Sequence, residues 1–317
     1  MHGADTGGPP RADAAAPVIA VVGPTASGKS DLAVRIASAL GGEVVNADSM
    51  QLYRGMDIGT AKLPPPERCG VPHHLLDVWD VGTAASVAEY QRLAREIVEA
   101  LRAAGRAPVL AGGSGLYVRA VLDDLRFPGT DPAVRARLAA EWAEQGAAVM
   151  HRRLAEVDPV AAASILPGNG RRVVRALEVV ELTGEPFTAT LPGPDPVYRP
   201  EARIGLAVPR DMLDRRIAER VDRMWEAGLL AEVRRLADQD GLRDGVTASR
   251  ALGYQQVLAF LDGAISEAEA KAQTVQATRA FARRQDKWFR RDPRVVWLPY
   301  DAADLLDRAL EVVAQAS

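Results

Sequence analysis

The chain has 317 residues, 48% of them hydrophobic and 26% charged, and a net charge of −3. Such values are ordinary for a globular protein with a substantial core, and they argue against bulk binding of nucleic acid. No apolar run approaches the roughly 20 residues of a membrane-spanning helix. The single cysteine excludes an internal disulfide, and with four histidines it argues against a structural zinc site. We expect a monomeric cytoplasmic protein with no membrane partner.

The first 16 residues are rich in Gly, Ala and Pro and predict a disordered tail. The apolar run Val18–Val22 then predicts a buried strand, and an amphipathic run from residue 31 to 40 predicts a helix. The segment between them, GPTASGKS, has the spacing G-x-x-x-x-G-K-[ST] of a phosphate-binding loop.

In such a loop the backbone N–H groups curl around an anion, and the following helix start adds a favourable dipole. Lys29 can reach across the phosphates, and the Ser30 hydroxyl is the usual ligand of Mg²⁺, the expected cofactor. The alternative is an ordinary turn with a solvated lysine. The predicted diphosphate- or nucleotide-binding residues are Gly23, Pro24, Thr25, Ala26, Ser27, Gly28, Lys29 and Ser30.

A second strand, residues 43–46, is followed by Asp48, Ser49 and Gln51. Ligands of open parallel sheets bind at the carboxyl ends of strands, which places Asp48 beside the phosphate loop. A carboxylate there can hold Mg²⁺ or act as a general base toward a second substrate. Alternatively, Asp48 caps the N-terminus of a following helix.

Residues 86–104 have helical spacing, and residues 108–111 predict a third strand that runs into Gly-Gly-Ser-Gly. No acid follows this strand of the kind that holds Mg²⁺ in NTP-hydrolysing proteins, although Asp77 is a possible substitute. The loop is therefore predicted to hold a phosphate chain without the usual hydrolysis residues. The alternation of strand and helix predicts an α/β fold with a P-loop NTPase-like parallel sheet covered on both faces.

This alternation breaks near residue 127, and residues 131–183 read as helices only. Strand character returns at residues 202–208 and again at residues 294–298. We predict one core, residues 17–126 and 201–317, interrupted by a helical insertion domain at residues 127–200.

Charge is unevenly distributed along the chain. Arg216 and Arg220 lie four residues apart on a predicted helix and, with Arg223, form either a cationic clamp on the phosphates or a solvated charged face. Residues 279–294 contain seven basic side chains against two acidic ones, and residues 171–175 hold a second basic cluster. Local basic patches on a mildly acidic protein favour a polyanionic partner that is read selectively.

Seven segments of residues 17–300 together resemble the tRNA dimethylallyltransferase (isopentenyl-tRNA transferase) family of bacterial type. They occur in family order and at family-like spacing: GPTASGKS, NADSMQLYRGMDIGTAK, PHHLLDV, AGGSGLYVRA, RRVVRALEV, RALGYQQ and TRAFARRQDKWFRR. The resemblance implies that a dimethylallyl group passes from dimethylallyl diphosphate to N6 of the adenosine 3′ of a tRNA anticodon.

The resemblance also implies roles for individual residues. Asp48 matches the base that removes the N6 proton, and Thr25 matches a loop threonine that orients the reacting groups. Arg220 is the best match to the diphosphate-binding arginine, with Arg216 as its near competitor.

The implied partner is the tRNA anticodon stem-loop, from which the target base must be unstacked. Trp288 and Phe289 either stack on a base or belong to the core, and Gln255 stands where many relatives have Arg or Lys. The implied tRNA contacts are Asp48, Ser49, Met50, Gln51, Ser114, Arg135, Arg171, Arg172, Arg175, Arg250, Gly253, Tyr254, Arg283 and Arg284.

Three other interpretations remain at this stage. A small-molecule P-loop kinase shares the core fold but not the predicted basic helix, Arg279–Arg291, and the long insertion. A nucleotide-switched RNA-binding protein would have no catalytic use for Asp48. An adenylate isopentenyltransferase acting on free AMP would share the chemistry but would not need two basic patches.

Overall fold

The computed structural model describes residues 15–187 and 196–316. Nearly all of the predicted disordered tail, residues 1–16, lies outside the described residues, as do residues 188–195. Within the described ranges, none of the helices combines the length and the apolar character that crossing a lipid bilayer demands.

Six parallel strands of the described chain form one sheet. They are β1 (Val18–Val22), β2 (Glu43–Asn46), β3 (His73–His74), β4 (Pro108–Gly112), β5 (Glu201–Ala207) and β6 (Val295–Pro299). Their spatial order is β3-β2-β4-β1-β5-β6. The predicted strands are thus all present, and the two-residue strand β3 is an addition that the sequence did not indicate.

The strand register brings three strand ends to one edge of the sheet. Val22 at the end of β1 lies opposite Gly112 of β4, and Asn46 at the end of β2 lies opposite Ala111. The loops that leave β1, β2 and β4 therefore begin side by side, which is where open α/β sheets bind ligands.

Helices cover the sheet and make up most of the remaining regular secondary structure of the described chain. They are α1 (Lys29–Leu40), α2 (Val87–Ala103), α3 (Gly115–Leu122), α4 (Pro132–Gln145), α5 (Ala147–Val157), α6 (Pro159–Ser164), α7 (Gly170–Thr183), α8 (Arg210–Glu226), α9 (Leu229–Gln239), α10 (Tyr254–Leu261), α11 (Glu267–Phe289) and α12 (Leu305–Ala316).

The direction of the crossovers determines which face each helix covers. The connection through α1 runs from β1 across β4 to β2, whereas that through α2 runs the opposite way, from β3 across β2 to β4. Because parallel crossovers are right-handed, α1 and α2 lie on opposite faces. Helix α1 buries Leu32 and Ile36 in a core shared with Ala309 of α12. The predicted α/β sheet with helices on both faces is confirmed.

The described chain divides into two compact units. One contains the sheet and draws on residues 1–121 and 198–317, and the other is Leu122–Val197. The second unit holds α4 to α7 around a core that includes Leu138, Met150 and Leu177. Its bounds precede the predicted ones, 127 and 200, by five and three residues. At its base the Val197 N–H donates to the Leu122 carbonyl over 2.8 Å.

Candidate active site

The phosphate loop has the backbone that its glycines were expected to allow. Gly28, immediately before α1, has φ +98°, a conformation that side chains rarely adopt. Ala26 takes φ +63° although it carries a Cβ. The loop thus curls tightly into the helix start, and the first N–H groups of α1 lack intrahelical acceptors and can bind an anion.

Lys29 is the first residue of α1, and its side chain lies against the phosphate loop. Its Nζ donates to the Pro24 carbonyl over 3.4 Å. Burial lowers the pKa of Lys29 to about 8, the Asp48 carboxylate opposes this shift, and the Arg220 guanidinium adds to it. A bound anion would restore the full charge of this lysine.

Asp48 follows β2 and is held by the backbone around it. Its Oδ1 accepts a hydrogen bond from the Met50 N–H at 3.0 Å. The buried Asn46 side chain accepts from the Asp48 N–H at 2.9 Å and donates to the Asp48 and Leu75 carbonyls. None of the described residues donates a hydrogen bond to Oδ2. The carboxylate is therefore fixed at one oxygen and available at the other, rather than capping a regular helix.

Ser49 and Gln51 extend this segment in two directions. Ser49 Oγ lies 3.3 Å from Ser114 Oγ, which also accepts from the Ser49 N–H at 3.3 Å. Gln51 Nε2 donates to the Thr60 carbonyl over 3.2 Å. Ser114 follows β4, so the structure brings this predicted contact next to the segment of Asp48, with Met50 partly exposed beside it.

Arg216 and Arg220, on α8, have different surroundings. The Arg220 Nη2 donates to the Thr60 carbonyl over 3.3 Å, and burial lowers the pKa of this arginine while the Asp48 carboxylate raises it. Arg216 instead stacks over the Tyr300 ring, with its Cζ 4.4 Å from the centroid. Arg220 is thus the arginine that shares an electrostatic environment with Asp48 and Lys29.

Both arginines line a cleft of about 800 Å³ beside the phosphate loop. Its other cationic and polar lining residues are Lys29, Ser30, Lys62 and Arg223, and its acidic ones are Asp31, Asp57, Glu67 and Glu219. Its apolar lining residues are Ala26, Ile58, Ala61, Leu63, Pro64, Met224 and Ala227. A cleft that combines cations at the phosphate loop with apolar side chains suits a small apolar group attached to phosphates.

The donor groups of the site suit a Mg²⁺ ion that binds together with a phosphate ligand. They suit a metal held by protein side chains alone less well. Ser30 presents its hydroxyl at the exposed start of α1, next to Asp31. Among the described residues, no three His, Cys, Asp or Glu side chains cluster in a way that holds a metal ion. Asp77, the possible substitute ligand, is bound to Lys62 Nζ at 2.6 Å. Mg²⁺ commonly takes few protein ligands and several phosphate and water oxygens, which matches this donor set.

Gln285 is a site residue that sequence reasoning missed. It lies on α11 with only 5% of its surface exposed. Its Oε1 accepts from the Thr25 N–H, and its Nε2 donates to the Gly113 carbonyl, both over 2.9 Å. The signal was available, because a glutamine at a core-facing position of a charged helix must satisfy its amide. Gln285 thus holds the backbone of the half-buried Thr25 in place.

The remaining predicted tRNA contacts of the sheet-containing unit are partly exposed positions and partly buried ones. Arg250, Arg283 and Arg284 are exposed. Tyr254 is fully buried beside the buried Gly253, and its hydroxyl donates to Glu232 Oε1 over 2.6 Å. This burial gives Tyr254 a supporting role instead of the expected direct contact with a large ligand.

The two aromatic residues near the end of α11 also differ. Phe289 is buried, which supports the core alternative for this residue. Trp288 is partly exposed and packs against Gly115, where a Cβ would meet its Nε1 at 2.1 Å. Trp288 therefore keeps an accessible part of its ring at the end of the basic helix.

In the second unit, two of the four predicted arginines are engaged internally. Arg135 and Arg175 both donate to the buried Glu178 carboxylate, at 2.7 and 2.8 Å. These contacts lower the pKa of Glu178 against the raising effect of its burial. Arg175 also donates to the Pro128 and Gly129 carbonyls, while Arg171 and Arg172 are exposed. Arg135 also remains exposed despite its ion pair, so three of the four arginines keep accessible positive charge, two of them at the start of α7.

Comparison with known proteins places the chain among its relatives. The family model described as IPP transferase matches residues 51–292. The tRNA dimethylallyltransferase of Thermobifida fusca is 67% identical over 306 residues, covering 95% of each chain, and that of Streptomyces griseus is 66% identical, covering 94% of this chain and 96% of its own.

Solved structures agree with this placement. The full-length tRNA isopentenylpyrophosphate transferase from Bacillus halodurans is 40% identical, with a TM-score of 0.68 over 94% of this chain and 95% of its own. A eukaryotic dimethylallyltransferase acting on tRNA, 23% identical, superposes with a TM-score of 0.79 over 94% of this chain and 77% of its own. The fold is therefore P-loop-like.

Proposed function

Because this chain belongs to the IPP transferase family, a family of transferases, we propose the reaction that it carries out. It transfers the dimethylallyl group of dimethylallyl diphosphate to N6 of the adenosine on the 3′ side of a tRNA anticodon, releasing diphosphate. The observation that supports this proposal best is that Lys29 and Arg220 line one cleft at the phosphate loop, and that the Asp48 carboxylate raises the pKa of both. One carboxylate beside two anion-binding cations is what a substitution with a diphosphate leaving group requires.

The chemical step forms one bond and breaks another. The N6 nitrogen of adenine attacks C1 of the dimethylallyl group, and the bond from C1 to the diphosphate oxygen breaks. The exocyclic amine is a weak nucleophile because its lone pair is delocalised into the ring. In the proposal, Asp48 Oδ2 accepts the N6 proton as the new bond forms, while the Oδ1 bond to Met50 fixes the carboxylate.

The leaving diphosphate gains negative charge as the C–O bond breaks. The loop N–H groups, Lys29 and Arg220 are already in place to stabilise that charge, which is the form of catalysis that needs no rearrangement during the step. Ser30 would hold Mg²⁺ together with the phosphates, and the ion would supply further charge neutralisation. No residue for positioning a water molecule is needed, consistent with the absence of an acid directly after β4.

We assign tRNA binding to the exposed basic positions of the described chain. The exposed arginines that can contact phosphates are Arg250, the α11 residues Arg283 and Arg284, and the α7 residues Arg171 and Arg172. Such contacts position the RNA, and the unstacked base then enters the site beside Asp48. A monomer in the cytoplasm remains our expectation for the working form.

The test uses purified protein with Mg²⁺, dimethylallyl diphosphate and unmodified tRNA, followed by nuclease digestion and mass spectrometry of the nucleosides. We expect an adenosine heavier by one dimethylallyl group. Transfer to free AMP but not to tRNA would indicate an adenylate isopentenyltransferase. ATP-dependent phosphorylation of a small acceptor, without prenylated adenosine, would indicate a kinase.

The lowered pKa of Lys29 predicts the alkaline pH dependence of substrate capture. Above its pKa, about 8, Lys29 loses its proton in the free enzyme, so kcat/KM for dimethylallyl diphosphate should fall as pH rises through that value. In Lys29→Arg the decline should disappear, because arginine stays protonated. Initial rates between pH 6 and 10 measure this, and a wild-type profile flat to pH 10 would contradict it.

Removal of Mg²⁺ should separate catalysis from folding. With excess EDTA we expect transfer to fall by about 100-fold or more, because charge on the leaving group is no longer neutralised. The unfolding temperature of the ligand-free protein should stay within about 1 °C, because a metal that arrives with the substrate does not stabilise the free fold. A large fall in that temperature would instead reveal a resident metal.

A further inference from the structure

We propose that Gln285 is a positioning residue that sets the phosphate loop against the loop after β4, and thereby sets diphosphate affinity. The inference rests on the proposed function for its activity readout but not for its binding readout. Gln285 lies on α11, far along the chain from both loops: 260 residues separate it from Thr25 and 172 from Gly113.

The side chain is matched to both of its partners. The Thr25 N–H needs an acceptor and the Gly113 carbonyl needs a donor, and a carboxamide carries one of each. Both distances are 2.9 Å, and the amide is almost completely buried. In such surroundings water does not readily replace a lost partner, so each bond constrains its loop.

The surrounding residues leave room for this amide and hold it in place. A Cβ at Gly113 would lie 2.2 Å from Gln285 Nε2, so the absence of a side chain there permits the contact. On the same face of α11, Ala282 and Phe289 are buried three residues before and four after it. This packing fixes the helix face from which Gln285 extends.

The two loops hold the two halves of the proposed reaction. Thr25 lies in the loop that binds the diphosphate, directly before the left-handed Ala26. Gly113 precedes Ser114, which is bonded to Ser49 beside the proposed base Asp48. Gln285 therefore ties the leaving-group site to the acceptor side, and small displacements between such groups have large effects on rate.

The test compares Q285M, which keeps the length but loses both hydrogen bonds, with Q276M, an exposed glutamine on the same helix. Calorimetry measures the affinity for inorganic diphosphate with Mg²⁺, and filter binding measures that for tRNA. We expect Q285M to weaken diphosphate binding at least about tenfold and tRNA binding less than threefold, with KM for dimethylallyl diphosphate rising in parallel. Q276M should change neither affinity.

Q285E provides the second variant, should Q285M fold poorly. Ionised glutamate cannot donate to the Gly113 carbonyl, whereas the protonated acid can. Burial at this position raises the pKa of a glutamate above its ordinary value, so diphosphate affinity relative to wild type at the same pH should be low at pH 8 and recover as the pH falls toward 6.

The proposal is overturned if both variants bind diphosphate within twofold of wild type at pH 8, or if diphosphate and tRNA affinities fall together. Because inorganic diphosphate binding requires no transfer, a wild-type protein without prenylation activity would refute the proposed function and leave this test intact.

Discussion

Replacing Asp48 by asparagine should lower kcat for dimethylallyl transfer by about 10³-fold, within the range typical of a general base. Asparagine retains an oxygen that can accept from the Met50 N–H, so the turn after β2 should persist. It cannot take the N6 proton, which leaves the weak nucleophile unassisted. Single-turnover rates at saturating dimethylallyl diphosphate and tRNA measure the effect, and tRNA affinity should change little.

The matched control is Asp80→Asn, because Asp80 is an exposed partner of Arg54 and should leave kcat within about twofold, as surface pairs usually do. A fall of less than tenfold in Asp48→Asn would remove Asp48 as the base. In Asp48→Asn, the alkaline limb of kcat/KM for dimethylallyl diphosphate should also move below pH 8. The reason is that the Asp48 carboxylate raises the pKa of Lys29, so its removal lowers that pKa.

The parts of the fold that sequence predicted well are encoded locally. The apolar run Val18–Val22 and the segment Glu43–Asn46 form strands with the expected bounds. The phosphate loop is likewise a local pattern, since its conformation depends on glycines at fixed offsets. The sequence did not predict α3, because its first residue, Gly115, belongs to a glycine run that is typical of a turn.

The candidate site was predicted less completely, because residue type does not reveal burial. Arg175 belongs to a basic cluster in the sequence, yet its guanidinium serves the buried Glu178. Tyr254 was expected at a surface and is enclosed with Glu232, whose carboxylate also accepts from the N–H groups of Asp57, Ile58 and Gly59. Such pairings join positions that are distant in sequence, and only the tertiary structure shows them.

The same limit applied to the choice between Arg216 and Arg220. Both side chains lie on one face of α8 at helical spacing, so the sequence left either as the diphosphate ligand. The structure gives the two arginines different neighbours: Arg216 has the Tyr300 ring, and Arg220 has the Thr60 carbonyl and the field of Asp48. Because of this difference, substitution of Arg216 is a matched control for substitution of Arg220 on the same helix.

Arg220→Gln should therefore lower kcat/KM for dimethylallyl diphosphate by about 10²- to 10³-fold, the cost typical of losing one preorganised donor to a developing anion. Arg216→Gln should cost only about threefold, because its guanidinium is stacked on the partly buried Tyr300 ring instead of sharing the surroundings of Asp48 and Lys29. Steady-state kinetics at fixed, saturating tRNA measure both, and an effect of Arg216→Gln equal to or larger than that of Arg220→Gln would reverse the assignment.

The pH profile offers an independent check on the same variant. The Arg220 guanidinium lowers the pKa of Lys29, so its removal should move the alkaline limb of kcat/KM above pH 8. That shift is opposite in sign to the one expected for Asp48→Asn. A general loosening of the site would move both variants in the same direction, because greater solvation of Lys29 raises its pKa in either case. Opposite shifts therefore require that Lys29 senses a carboxylate and a guanidinium together, which is the arrangement on which the proposed reaction depends.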